Sequence, residues 1–146
     1  MELDKAMAIS ASGLEVQRQR MNVIASNLAN VNSTKAANGA PYRRRDVLIR
    51  ADKTVTQPFG ALMNRSGLPD SPGVKAVKIV EDQRPPRQMY EPQHPDANAE
   101  GFVMMPDINT IEEMVNLIGA SRAYEANVTA MGVTKTMTQR ALDIGR

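Results

Sequence analysis

The chain has 146 residues, with 18 Lys and Arg against 16 Asp and Glu, a formal net charge of +2 and no cysteine. That length sets one domain, or one core with a long appendage, and the missing Cys excludes a disulfide framework and a thiolate metal site. The small positive excess is too weak to imply nucleic acid by itself. Aromatic content is only 3%, so large core residues are scarce, while ten Met, nine Gly and nine Pro suit helices at the ends and irregular structure between them. No run approaches the roughly 18 apolar residues of a membrane span. The start Met1-Glu2-Leu3-Asp4 is acidic and lacks the apolar run of a cleavable secretory signal, so none is expected.

Leu3, Met7, Leu14, Met21, Ile24, Leu28 and Val31 fall on one heptad seam, with Ser10 and Gln17 as polar interruptions, and this predicts a helix over 3–31. Ala6, Ala8, Ala11, Ser12, Gly13, Ala25, Ser26 and Ala29 put small residues on its other faces, where a solvated helix would carry Lys and Glu. Such a helix is built to be approached from several sides, and other subunits are expected to supply the neighbours that one monomer cannot. Asn30-Val31-Asn32-Ser33-Thr34 should end it, because short polar side chains compete for backbone hydrogen bonds.

Asn38-Gly39 marks a turn and Ala40-Pro41 an extended link, after which 43–50 reads as a short strand entered through Arg43-Arg44-Arg45. The triplet suits a phosphate or an acidic partner. Its plainer reading is a solvated strand edge or an intersubunit salt bridge, and no aromatic residue is interleaved for base stacking. Residues 51–73 hold Pro58, Gly60, Gly67, Pro69, Pro72 and Gly73 and read as a mobile segment, with Phe59, Leu62 and Met63 as an apolar cluster able to dock on a neighbour. Strands are predicted at 74–80 and 101–105, with Gln88-Met89-Tyr90 as a further pairing segment before Pro92.

The last third carries Ile111, Met114 and Ile118, then Leu117, Ala120, Tyr124, Val128 and Met131, then Met137 and Ala141, at helical spacing over 109–142. Thr110 followed by Glu113 reads as a capping box, and Gly145 sits where a left-handed cap would go. Tyr124, although flanked by Arg122 and Glu125, reads as a seam residue that packs its ring. Glu112 and Glu113 near the start, with Arg140 and Arg146 near the end, complement the helix dipole.

His94 is the only histidine, and it lies among Glu91, Asp96 and Glu100. Pro92 and Pro95 flank it and no nucleophile–base pair is apparent, so it reads as a turn residue bonded to backbone. Asp96-x-Asn98-x-Glu100-Gly101 mimics the start of an EF-hand loop, but Asp107 stands where a bidentate Glu belongs, and the prolines remove the entering helix. A metal- or calcium-binding module over 94–107 is the alternative reading. A helical nucleic-acid binder using Arg43, Arg44 and Arg45 is a third.

Ala25-Ser26-Asn27-Leu28-Ala29-Asn30-Val31-Asn32-Ser33-Thr34 resembles the signature of bacterial flagellar axial proteins. Pro41-Tyr42-Arg43-Arg44, Tyr90-Glu91-Pro92-x-His94-Pro95-Asp96-Ala97-Asn98-Ala99-Glu100-Gly101-Phe102-Val103, Glu112-Glu113-Met114-Val115 and Ser121-Arg122-Ala123-Tyr124-Glu125-Ala126-Asn127-Val128 are similar to the flagellar basal-body rod family, most closely its proximal-rod members. The resemblance implies a structural subunit of the rod that spans the periplasm, with no catalytic residue, no cofactor and no metal. It implies export through the flagellar type III apparatus, helical assembly with itself and with adjacent rod proteins around the export channel, and torque transmission to hook and filament. Neither nucleic-acid binding nor membrane insertion is implied.

The expected fold is mainly α with a small β region. Residues 1–32 and 109–146 pair as a helical coiled-coil inner domain, and 33–108 form a β-hairpin and loop middle. The packing and assembly residues expected are Leu3, Met7, Leu14, Met21, Ile24, Leu28, Val31, Ile111, Met114, Ile118, Tyr124, Val128 and Met131.

Overall fold

A computed structural model of the chain describes residues 2–35, 39–52 and 73–144, with the backbone alone for Glu2, Leu3, Asp52 and Ile144. Two long helices bracket two small antiparallel sheets. Helix α1 runs Glu2–Ala29, free of proline. Its end is built by Asn30, whose Nδ2 donates to the Ser26 carbonyl at 2.8 Å and whose Oδ1 accepts from Ser33 Oγ at 3.1 Å. Short polar side chains thus take over the carbonyls that a continuing helix would use.

Strand β1 (Arg45–Asp52) pairs antiparallel with β2 (Gly73–Glu81). Leu48 lies opposite Lys78 but Ile49 lies opposite Ala76, so Val77 is the extra residue of a bulge that bends the ribbon. A two-stranded ribbon is marginal alone; this one packs against α1, buries Val47, and donates the Val74 amide to Ser12 Oγ at 3.2 Å. Most of the expected irregular segment, 53–72, lies outside the described residues, as does Gly145. Residues 51, 52 and 73 belong to strands.

Strand β3 (Arg87–Tyr90) pairs with β4 (Phe102–Met105). Tyr90 and Phe102 face each other edge to face, with ring centroids 5.4 Å apart. The 91–101 connection folds around Asn98, whose Oδ1 accepts from the amides of Glu100 at 3.0 Å and Phe102 at 2.8 Å. Gly101 closes it at φ +82°, and a Cβ there would sit 2.9 Å from Tyr90 Cε2 and 3.2 Å from Pro92 Cβ. Gly101→Ala should therefore destabilise the chain by more than about 1 kcal/mol, because an L side chain strains this backbone and the gap is filled. A lower urea midpoint with unchanged slope is the expected reading. Val103, Met105, Pro106 and Ile108 are buried, and they carry the chain from this hairpin into the last helix.

Helix α2 runs Thr110–Ile144, 35 residues or about 52 Å. Its cap is Asn109, not Thr110: Asn109 Oδ1 accepts from the amides of Ile111 at 3.1 Å and Glu112 at 3.4 Å. The capping box expected from Thr110 and Glu113 does not form, because Glu113 is used elsewhere. In its second half the hydroxyls of Thr129, Thr134, Thr136 and Thr138 donate to the carbonyls four residues earlier. That bonding satisfies each hydroxyl within the helix itself.

The helices run antiparallel, since Asn27 meets Glu113 while Gly13 meets Asn127. The face of α2 toward α1 steps by four and three through Glu113, Leu117, Ala120, Tyr124, Asn127, Met131, Thr134 and Thr138, all buried or half-buried. The facing positions of α1 are Ser10, Gly13, Gln17, Ile24 and Asn27. Gly13 permits a close approach: a Cβ on it would lie 2.9 Å from Asn127 Oδ1.

Candidate functional site

Two features are candidates for function: a buried polar clasp at one end of the helix pair, and the apolar faces that the pair turns outward. The clasp is built from three elements. Asn27, in the last turn of α1, is fully buried, and Glu113, in the first turn of α2, is 1% exposed. Asn27 Nδ2 donates to Glu113 Oε2 at 2.9 Å and to the Arg45 carbonyl at 2.8 Å. Its Oδ1 accepts from the Arg45 amide at 2.9 Å and from the Tyr42 hydroxyl at 3.1 Å. One amide side chain thus uses all four of its bonding positions.

Glu113 Oε1 accepts from Arg44 Nε at 2.8 Å, which neutralises the buried carboxylate. Burial opposes Arg44's charge. The hydrogen bond and attraction of Glu113, with Asp46 and Glu112 behind it, outweigh that and raise the guanidinium pKa above its ordinary value. Asn27 holds the chain at Arg45, the first residue of β1, which is why the strand starts there and not at Arg43 as the sequence suggests.

The Arg triplet is consequently divided. Arg44 serves the clasp, Arg45 pairs with Glu81 at 3.0 Å and lies over the Tyr42 ring at 5.4 Å, and Arg43 is exposed near Gln83. Two of the three guanidiniums are thus engaged with carboxylates of the chain itself.

The 94–107 region is knitted into the fold by its own polar groups. His94 Nδ1 accepts from the Asp96 amide at 3.1 Å. Asp96 is bound by Lys35 and by Thr34 Oγ1, and these two contacts hold its carboxyl below the usual carboxylate range. Asp107 lies 3.3 Å from Arg84, which also binds Asp82 and lowers that carboxyl's pKa. Among the described residues no three His, Asp or Glu side chains gather as a metal-binding group. The calcium reading needed Asp96 and Asp107 to turn on one ion, and each faces a cation of the chain itself.

The expected seam residues divide between inner and outer faces. Ile24 is buried; Met7, Leu14, Met21, Leu28, Val31, Tyr124 and Met131 are half-buried. Ile111 (75% exposed), Met114 (51%) and Ile118 (53%) stand on α2 away from α1, joined by Val115 (64%), while Val128 (47%) lies at the edge of the inward face. Leu3's side chain lies outside the described residues. On the far side of α1, Ala11, Ala25 and Ala29 are exposed. Four large apolar side chains within eight residues form a contiguous patch of the kind that marks an interaction site.

Asn27, Glu113, Arg44 and Tyr42 as one unit were not foreseen from the sequence. The available signal was Glu113, a charge four residues before Leu117 and seven before Ala120, where helical spacing calls for an apolar residue.

Residues 7–36 match the family model described as flagella basal body rod protein, and residues 99–144 match the one described as flagellar basal body rod FlgEFG protein C-terminal. The flagellar basal-body rod protein FlgC of Bacillus subtilis is 44% identical over 97% of each chain. That of Salmonella typhimurium is 38% identical over 94% of each, and that of Yersinia enterocolitica 36% over the full length of both.

Proposed function

The chain belongs to the FlgC family of flagellar basal-body rod proteins, and from that membership we propose how its geometry builds a rod. It is a structural subunit of the basal-body rod, not an enzyme, and assembly is its activity. The observation that carries the mechanism is the placement of its exposed faces. The Ile111, Met114, Val115 and Ile118 patch of α2 and the Ala11, Ala25 and Ala29 face of α1 lie on opposite sides of the antiparallel pair.

Two different faces on opposite sides favour head-to-tail contacts, which leave a free face after each addition and extend into a helical array. The small side chains of one face admit the large ones of the other at close backbone distance. Residues 1–32 and 109–146 act as a coiled-coil inner domain that packs against like subunits and adjacent rod proteins around the export channel. Residues 33–108 fill the middle of each subunit. Many helices packed side by side resist twist better than any one of them, which suits a shaft carrying torque to hook and filament across the periplasm. The flagellar type III apparatus delivers the chain to the growing rod.

Deleting the gene in the native cell and imaging its basal bodies tests this reading. Basal bodies without a complete rod, restored by the plasmid-borne chain, are expected. Complete rods and normal swimming in the deletion strain would contradict it.

A further inference from the structure

We infer that the Asn27–Glu113–Arg44 clasp is a register lock: it selects one axial alignment of α1 on α2 where the rest of the seam would accept another. The seam of α2 repeats by four and three through eight positions from Glu113 to Thr138, and α1 faces it with Ser10, Gly13, Gln17, Ile24 and Asn27, at steps of three, four, seven and three. A slip of seven residues preserves that pattern. Few large apolar residues oppose it, because most seam positions are Ala, Gly, Ser, Thr, Asn or Gln.

The middle of the seam offers no polar pin. Gln17 Oε1 is buried without a hydrogen-bond partner among the described residues, so its neighbours do not select it. Gly13 against Asn127 is the second point where position matters, through close approach and not bonding.

The clasp differs in kind. Glu113 is 1% exposed and its two oxygens are taken by Asn27 and Arg44. A slip would strand that carboxylate without partners and free both Asn27 and Arg44, a penalty that apolar mismatch cannot match. Asn27 also holds both the amide and the carbonyl of Arg45, so the β1–β2 ribbon is fixed to the same alignment. Helix register and ribbon seat are thereby one decision. A heptad slip would displace the outer face of α2 by about 10 Å relative to α1, and such a subunit would present its two faces out of step.

The test uses the full chain with spin labels on cysteines at Asn22 and Lys135. Both positions are exposed, and the chain has no cysteine of its own. With the clasp intact, double electron–electron resonance should give one distance population. In Asn27→Leu/Arg44→Met/Glu113→Leu, which keeps bulk while removing every polar partner, a second population displaced by about 10 Å is expected. One unshifted population in the folded triple variant would overturn the proposal. If the triple variant does not fold, the same labels are read in Arg44→Met/Glu113→Leu, where no polar bond of the clasp reaches α2. A second population there supports the lock, and a single native distance overturns it.

Discussion

Arg44→Met should cost about 3–5 kcal/mol, because it leaves the Glu113 carboxylate buried with only the Asn27 amide for company. In melting temperature that is a fall of roughly 10 °C or more for a chain of this size. Arg44→Met/Glu113→Leu should recover most of the loss, since replacing both members of a buried pair by apolar groups is often neutral. The cycle separates two accounts of Arg44. If its role were contact area alone, the double variant would be no more stable than the single one. Calorimetry on the parent, Arg44→Met, Glu113→Leu and the double variant reads the coupling directly, and an Arg44→Met protein that melts with the parent would show that the clasp does not stabilise the fold.

Ile118→Asp should have the opposite profile, leaving the monomer intact and abolishing assembly. Ile118 is 53% exposed and faces away from α1, so a charge there stays solvated and should change stability by no more than about 0.5 kcal/mol. Within a packed interface the same carboxylate would be desolvated without a partner. Losing an anchor of this kind typically removes 2 kcal/mol or more from an interface, roughly thirtyfold in affinity. The expected observations are an unchanged melting curve, normal secretion of the variant and non-motile cells without complete rods. Swimming at the parental rate would show that this patch is solvent-facing in the rod.

The two helices and the four strands were legible because periodicity is a local property. The 3–31 and 109–142 stretches carry apolar residues at helical spacing without a proline, and they emerged as α1 and α2 within two residues at each end. The clasp was not legible, and the reason is competition between readings. Asn27 lies off the expected heptad seam, and Glu113, three residues after Thr110, has a satisfactory local explanation as capping partner. Only the antiparallel pairing of residues 86 apart reveals that they bind each other. Arg44 was hidden likewise, because a run of three arginines reads as one patch until the fold sends each to a different carboxylate or surface. The division of Ile111, Met114 and Ile118 from Leu117, Ala120 and Tyr124 needed the structure too. Both sets fit helical spacing, so the pattern shows that α2 is apolar on more than one side without showing which side meets α1.

In the assembled rod the outward face of α2 is expected to meet another subunit. That contact is tested most directly by placing a photo-crosslinking amino acid at Ile118, with Leu117 on the inward side as the comparison, and irradiating purified basal bodies. Ile118 is expected to join the chain to a second polypeptide, while Leu117 yields crosslinks within the chain. Rods that contain the labelled protein yet show no interchain product from Ile118 would contradict the account.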